Sequence, residues 1–202
     1  DLRQIADQYT QACRRANERF AGWEDVRPQI IERLQFIADQ MASSGAYFHD
    51  KFKVIEAPVF SKKEQKLYRA KKLTSAMLKS ENRSVMRFHP EKGGGQPLKL
   101  SELGFEIHFA PQLNGAIQVF CLPPFMPHAA KPDAGRPRQL IKVFAEPEEI
   151  DHPDVDAAVL QAMELNQKSS YLFQAVPMME EEKSPIGFRL EDDHDGVKGE
   201  LD

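Results

Sequence analysis

A seven-residue apolar repeat runs through the first 41 positions and constrains the fold more than any other feature. Leu2, Tyr9, Ala16, Trp23, Ile30 and Ile37 recur at that interval, while Ile5, Ala12, Phe20, Val26, Leu34 and Met41 fill the neighbouring stripe. Spacings of three, four and seven put one apolar face along a helix. Pro28 interrupts the pattern. Proline lacks a backbone donor and fits best in the first turn of a helix. Gly22 is placed to end one helix and Asp25 to cap the next, so the segment reads as two helices, 2–20 and 26–42, closed by Gly45. This helical pair, residues 1–44, either packs on the rest of the chain or forms a homodimer through residues 2–42. The repeat spans too few heptads to separate the two.

From Tyr47 the period changes. "YFHDKFKVIEAPVF" mixes alternation with β-branched residues and predicts a strand closed by Pro58. The next stretch, "SKKEQKLYRAKKLTSAMLKSENRSVMR", carries nine Lys and Arg against two Glu. Its first part reads as a helix over 62–80, with Leu67, Ala70, Thr74, Met77 and Leu78 on one face. Lys62, Lys66, Arg69, Lys72 and Lys79 fall on the other face, and Arg83 and Arg87 follow in a short strand, "SVMRFH". "PEKGGGQP" is a loop.

"LGFEIHFAPQLNGAIQVFCLPPF" predicts a hairpin. A two-residue Asn114-Gly115 turn would pair Phe109 with Phe120 but scramble the remaining faces. A five-residue loop, Pro111 to Gly115, sets Phe105, Ile107 and Phe109 across from Cys121, Val119 and Ile117, with His108 and Gln118 on the other side. A one-residue slip exchanges the faces, so the cleaner face selects the longer loop.

"PPFMPHAAKPDAGRPR" is an irregular excursion. "QLIKVFAEP" is apolar on both sides, which predicts a central strand. Asp151 and Pro153 open a helix whose stripe is Val155, Val159, Ala162, Met163 and Asn166. After Pro177 the chain is acidic and aperiodic, the pattern of a mobile tail. The expected architecture is α+β: a helical pair (1–44), then a domain (45–176) with an antiparallel sheet of four to five strands and a covering helix, then an acidic tail (177–202). Helix–meander–helix orders of this kind occur in small sensory and ligand-binding domains, an analogy of fold alone.

Charge is strongly segregated. The whole chain of 202 residues carries −4, but residues 61–88 carry +7 and residues 144–202 carry −12. A dense cationic stripe attracts phosphates or carboxylates without reading bases. The acidic tail is a competing occupant of the same stripe.

Catalytic chemistry has little support. His49-Asp50 is an isolated pair, His89 and Glu91 stand at a strand end, and His152 and Asp154 flank Pro153. None has the paired spacing of a metal site, so neither metal nor cofactor is expected. There is no G-x-S-x-G elbow. Cys13 and Cys121 read as two buried, reduced thiols rather than a disulfide framework. No stretch approaches the ~20 apolar residues of a membrane helix, and no leader pattern opens the chain, so a cytoplasmic location is expected.

The sequence therefore points to a non-catalytic binding module whose residues 62–87 contact an anionic partner, nucleic acid or an acidic protein segment. A sensory domain holding a small molecule between sheet and helices is the alternative, and an enzyme of unknown type comes third.

Overall fold

The structure, a computed structural model, describes residues 1–43, 51–60, 62, 73–87, 98–125, 136, 138–169 and 188–190. It is α+β: a long N-terminal helix, a five-stranded antiparallel sheet and a C-terminal helix. The expected helical pair is a single helix, α1 (Leu2–Ser43), with Pro28 in its interior. The missing donor and the ring cost a helix about 3 kcal/mol. Packing on both sides of Pro28 opposes that cost, because Trp23, Ile30, Leu34 and Ala38 are all buried in the core. Gly22 does not end a helix. It lies inside α1, where the 3-10 turn Pro147–Glu149 passes so close that a Cβ would overlap the Glu148 carboxylate.

Strands β1 (Phe52–Pro58), β2 (Thr74–Ser80), β5 (Glu106–Pro111), β6 (Ile117–Leu122) and β7 (Gln139–Phe144) form the main sheet in the order β1-β2-β5-β6-β7. A second sheet joins β3 (Arg83–Arg87), β4 (Leu98–Glu102) and β8 (Phe188–Leu190) in the order β4-β3-β8. Strand β8 falls inside the expected tail; the rest of residues 177–202 lies outside the described residues. The two sheets share one register. Lys79 opposes Glu106 and Arg83 opposes Glu102, so β2–β3 and β5–β4 are two stretches of a single antiparallel ladder.

The ladder breaks where Gly104 passes the carbonyls of Ser80 and Glu81 too closely for a Cβ. Side chains replace the lost ladder bonds there. The Gly104 amide donates to Asn82 Oδ1 at 3.1 Å, and the Phe105 amide donates to Ser80 Oγ at 2.9 Å. Buried backbone donors must find partners, and these two do.

The hairpin has the expected faces and a different register. Phe105, Ile107, Phe109, Ile117, Val119 and Cys121 are all fully buried. Ile107 opposes Cys121 and Phe109 opposes Val119, a shift of two residues from the expected pairing. The reason is the turn. The Gly115 amide donates to the Gln112 carbonyl at 2.9 Å, the Gln112 amide donates to the Ala116 carbonyl at 2.8 Å, and Gly115 has φ +82°. A turn followed by a left-handed glycine closes a hairpin with three residues, Leu113 to Gly115. An even shift leaves every side chain on its face.

Strand β7 is at the edge, not the centre. Leu140 and Val143 are 56% and 52% exposed. A bulge between β6 and β7 sets Val119 opposite Lys142 and Phe120 opposite Leu140, an irregularity common at sheet edges.

Helix α2 (His152–Ser169) starts as expected. The Asp154 amide donates to Asp151 Oδ1 at 2.9 Å, and Pro153 occupies the first turn. Val155, Val159, Ala162 and Asn166 are buried, with Met163 packed beside them. α1 and α2 cover the same face of the sheet and are joined by Arg33, which donates to both carboxylate oxygens of Asp156 at 2.7 and 2.6 Å. Trp23 closes the core from α1, its Nε1 donating to the Thr74 carbonyl at 2.8 Å.

Candidate functional site

Alternation along β2, β5 and β6 sends Lys79, Glu106, His108 and Phe120 to the face away from the core. Lys53 on β1 sits directly opposite Lys79 on β2. Like charges opposed across a ladder repel, and each finds its own carboxylate. Lys53 Nζ lies 2.6 Å from Glu81, and Lys79 Nζ lies 2.9 Å from Glu106 Oε1. Glu106 also faces His108 Nε2 at 3.0 Å and Arg136 Nη1 at 3.2 Å. These partners hold its carboxyl far down, at about 2, led by the hydrogen bond with His108 and then Lys79, against the opposing effect of burial.

Arg136 spends its other donors on backbone. It donates to the carbonyls of Gly104, Leu122 and Pro123, the last at 2.8 Å. Burial pulls its guanidinium pKa below the ordinary value. Phe120 carries His108 stacked on it, with centroids 4.6 Å apart and planes 6° apart. The Arg138 guanidinium lies 3.6 Å from the same ring's centroid and donates to Gln118 Oε1. Glu106, ionised and shared among Lys79, Arg136 and the His108 ring, is a weak base at neutral pH. Burial pushes the Cys121 thiol up to about 11, which keeps it protonated. The cluster is an electrostatic fixture that clamps the broken ladder, and its outer cations face solvent.

The predicted basic residues do not share one helical face. Lys62 is helical and exposed. Lys66, Arg69 and Lys72 lie outside the described residues. Lys79 is in strand β2, and Arg83 and Arg87 are in β3 at positions opposite Glu102 and Leu98. The helix expected over 62–80 gives way to a strand from Thr74. Strand β2 is buried on both faces and so lacks the alternation that marks a half-buried strand. Glu106 was missed as a site residue because only cross-strand register brings it to Lys79. Arg136 was missed because it sits in a proline-rich stretch with no periodic signal.

Of the three histidine pairs only His152 with Asp154 is described. His49, Asp50, His89 and Glu91 lie outside the described residues. His152 is exposed at the start of α2, and Asp154 accepts from Lys142 at 2.6 Å. Among the described residues no group of three His, Cys, Asp or Glu is placed to hold a metal ion. Cys13 is exposed, against the expectation of two buried thiols.

A second surface lies on α1. Residues 1–15 are all exposed. Contact with the body begins at Ala16, half-buried beside Gly115, and at Arg19, whose guanidinium binds Glu146 at 2.6 Å and donates to the Asn114 carbonyl at 3.2 Å. No helix of the described residues is long and apolar enough to cross a membrane. Comparison with known proteins finds no matching family model, no matching curated protein and no matching solved structure.

Proposed function

We propose that the protein is a non-catalytic α+β binding module that engages an anionic partner through segment 62–87. The observation that carries the reading is the charge of residues 61–88, nine Lys and Arg against two Glu. Lys53 and Lys79, opposed on neighbouring strands, are engaged by Glu81 and Glu106 and do not carry it. Lys62 adds an exposed cation, and residues 61–88 supply the chain's largest positive excess. The anionic partner is a nucleic acid backbone or an acidic protein segment. The space between sheet and helices, which a small-molecule sensor would use, is filled by Trp23, Phe105 and Phe109, all fully buried.

The test is a salt titration of binding to single- and double-stranded nucleic acid and to a poly-glutamate peptide. Counterion release gives duplex affinity a slope of about 0.9 log unit per log unit of salt for each phosphate neutralised. Binding that weakens steeply with salt, and weakens further when Lys62, Lys66 and Arg69 become Glu, supports the reading. No binding to any of the three at low salt overturns it.

A further inference from the structure

We propose that the acidic C-terminal segment is a built-in competitor for the basic segment, held against it by strand β8 and displaced when an anionic partner binds. This rests on the function proposed above and adds the regulation of the same site. Strand β8 is the described part of residues 177–202, and it pairs with β3, which lies inside the basic segment. Phe188 stands opposite Arg87, Arg189 opposite Met86 and Leu190 opposite Val85. On the other side of β3, Leu98 stands opposite Arg87 and Leu100 opposite Val85. Leu100, Val85 and Leu190 therefore occupy one row across three strands, the cross-strand arrangement that stabilises a sheet. Among the described residues, β8 is what pairs with this edge of β3. An unpaired strand edge is a template for another strand, and the chain supplies its own.

The register that aligns the apolar row also aligns the charges. Residues 177–202 hold nine Asp and Glu against three Lys and Arg, and Glu191, Asp192, Asp193 and Asp195 come straight after Leu190. Antiparallel pairing runs this acidic stretch back along β3 towards its start. Continued by two residues, the register sets Glu191 opposite Ser84 and Asp192 opposite Arg83. A slip of one residue takes Leu190 away from Val85 and Asp192 away from Arg83 at once. Arg83 already opposes Glu102 on β4, so Asp192 flanks it with a second acid. An outside anion that reaches Arg83 competes with that carboxylate, and the acids beside it lower the positive potential of the segment. The pairing spans three residues, and elements held by few contacts open locally at low cost. The contact is therefore reversible, and apparent affinity for a partner falls with the fraction of chains left open.

The experiments use the full chain. Placement is read by oxidation. Directly opposed residues of an antiparallel pair lie about 4.5–5.5 Å apart at Cα, within reach of a disulfide. Val85→Cys with Leu190→Cys, in a Cys13→Ser background, is expected to link within the chain, and Val85→Cys with Arg189→Cys, one position off, much less readily. Cys121 is buried and does not compete. Competition is read at low salt with the nucleic acids and the poly-glutamate peptide named above. Phe188→Gly with Leu190→Gly releases the strand without changing charge. Glu191→Gln, Asp192→Asn and Asp193→Asn together remove charge and keep the strand. Each of these two variants is expected to tighten binding by roughly 5-fold or more, the lower end of ordinary coupling between two sites. Unchanged Trp23 emission reports an intact core. The oxidised disulfide variant is expected to bind more weakly than its reduced form. No preference for the 85–190 link, or an oxidised form that binds as tightly as the reduced one, overturns the proposal. So does binding by the unmodified chain that either variant fails to strengthen, an outcome that leaves the proposed function standing. No binding by the unmodified chain or by either variant overturns both.

Discussion

Lys79 on β2 and Glu106 on β5 occupy directly opposed positions in the sheet, with the ammonium 2.9 Å from the carboxylate. The pair sits two residues before the point where the ladder breaks, and Arg136 joins it from a different part of the chain. A cation that reads as part of a free basic stripe is thus already engaged in holding the sheet together. Lys79 therefore anchors structure, and the proposed binding role falls to other basic residues of 62–87.

The anchoring role has a pH signature. Glu106 drops from an ordinary 4.5 to about 2 in the folded protein. A carboxyl with a depressed folded pKa contributes stability that is fully present above the unfolded value, here 4.5, and that is lost as pH falls towards 2. Glu106→Gln is expected to cost about 2–3 kcal/mol at neutral pH, since every tenfold gain in acid strength on folding corresponds to about 1.4 kcal/mol. The variant should also lose the part of the acid destabilisation that falls between those two values. Urea unfolding from pH 7 to pH 2 checks both; a variant that follows the parent throughout means that Glu106 contributes nothing.

The binding role is expected to separate from it. Changing Lys62, Lys66, Arg69 and Lys72 to Glu should abolish polyanion binding, while Lys62→Glu, at an exposed position, should alter stability by about 0.5 kcal/mol or less. Lys79→Glu places a second carboxylate against Glu106 and should lower stability by about 2 kcal/mol or more. Parallel binding and denaturation curves on the two variants distinguish them. If Lys79→Glu alone removes binding with the fold intact, the division is wrong.

Two glycines are expected to respond in opposite ways. At Gly104 a Cβ meets the backbone carbonyls of Ser80 and Glu81, which cannot move without opening the ladder. Gly104→Ala should therefore cost about 2 kcal/mol or more. At Gly22 the obstruction is the exposed, flexible Glu148 carboxylate. Alanine gains about 1 kcal/mol over glycine in a helix, so Gly22→Ala should be neutral or slightly stabilising. Thermal melts of the two variants give the contrast.

Pro28 is exposed in the interior of α1. Pro28→Ala restores one helical hydrogen bond and removes the ring clash, and is expected to stabilise by roughly 1–3 kcal/mol in denaturant unfolding. A loss of stability would mean that the ring itself packs usefully where it is.

Several elements were legible because their pattern is local. The stripe in α1 follows from heptad spacing, the cap of α2 from Asp151 and Pro153, and the buried face of the β5–β6 hairpin from alternation. These properties depend on neighbours within a turn or a pleat. Register on that hairpin was less legible, because the glycine-containing loop closes in three residues or five with the same faces buried, and only the Gly115 conformation separates them.

What the local pattern left open is which strand lies where. "TSAMLKS" has the spacing of a helical face and becomes the strand between β1 and β5, while "QLIKVF" looks fit for the centre and lies at the edge. The sequence by itself determined which residues are apolar, where α2 begins, and that charge is segregated along the chain. Tertiary structure decided the rest: that α1 runs through Pro28, that Lys79 meets Glu106, and that the apolar face of α1 is half core and half exposed arm. Each of these depends on pairing between segments tens of residues apart, and burial is conferred by the partner that arrives rather than by the residues that await it.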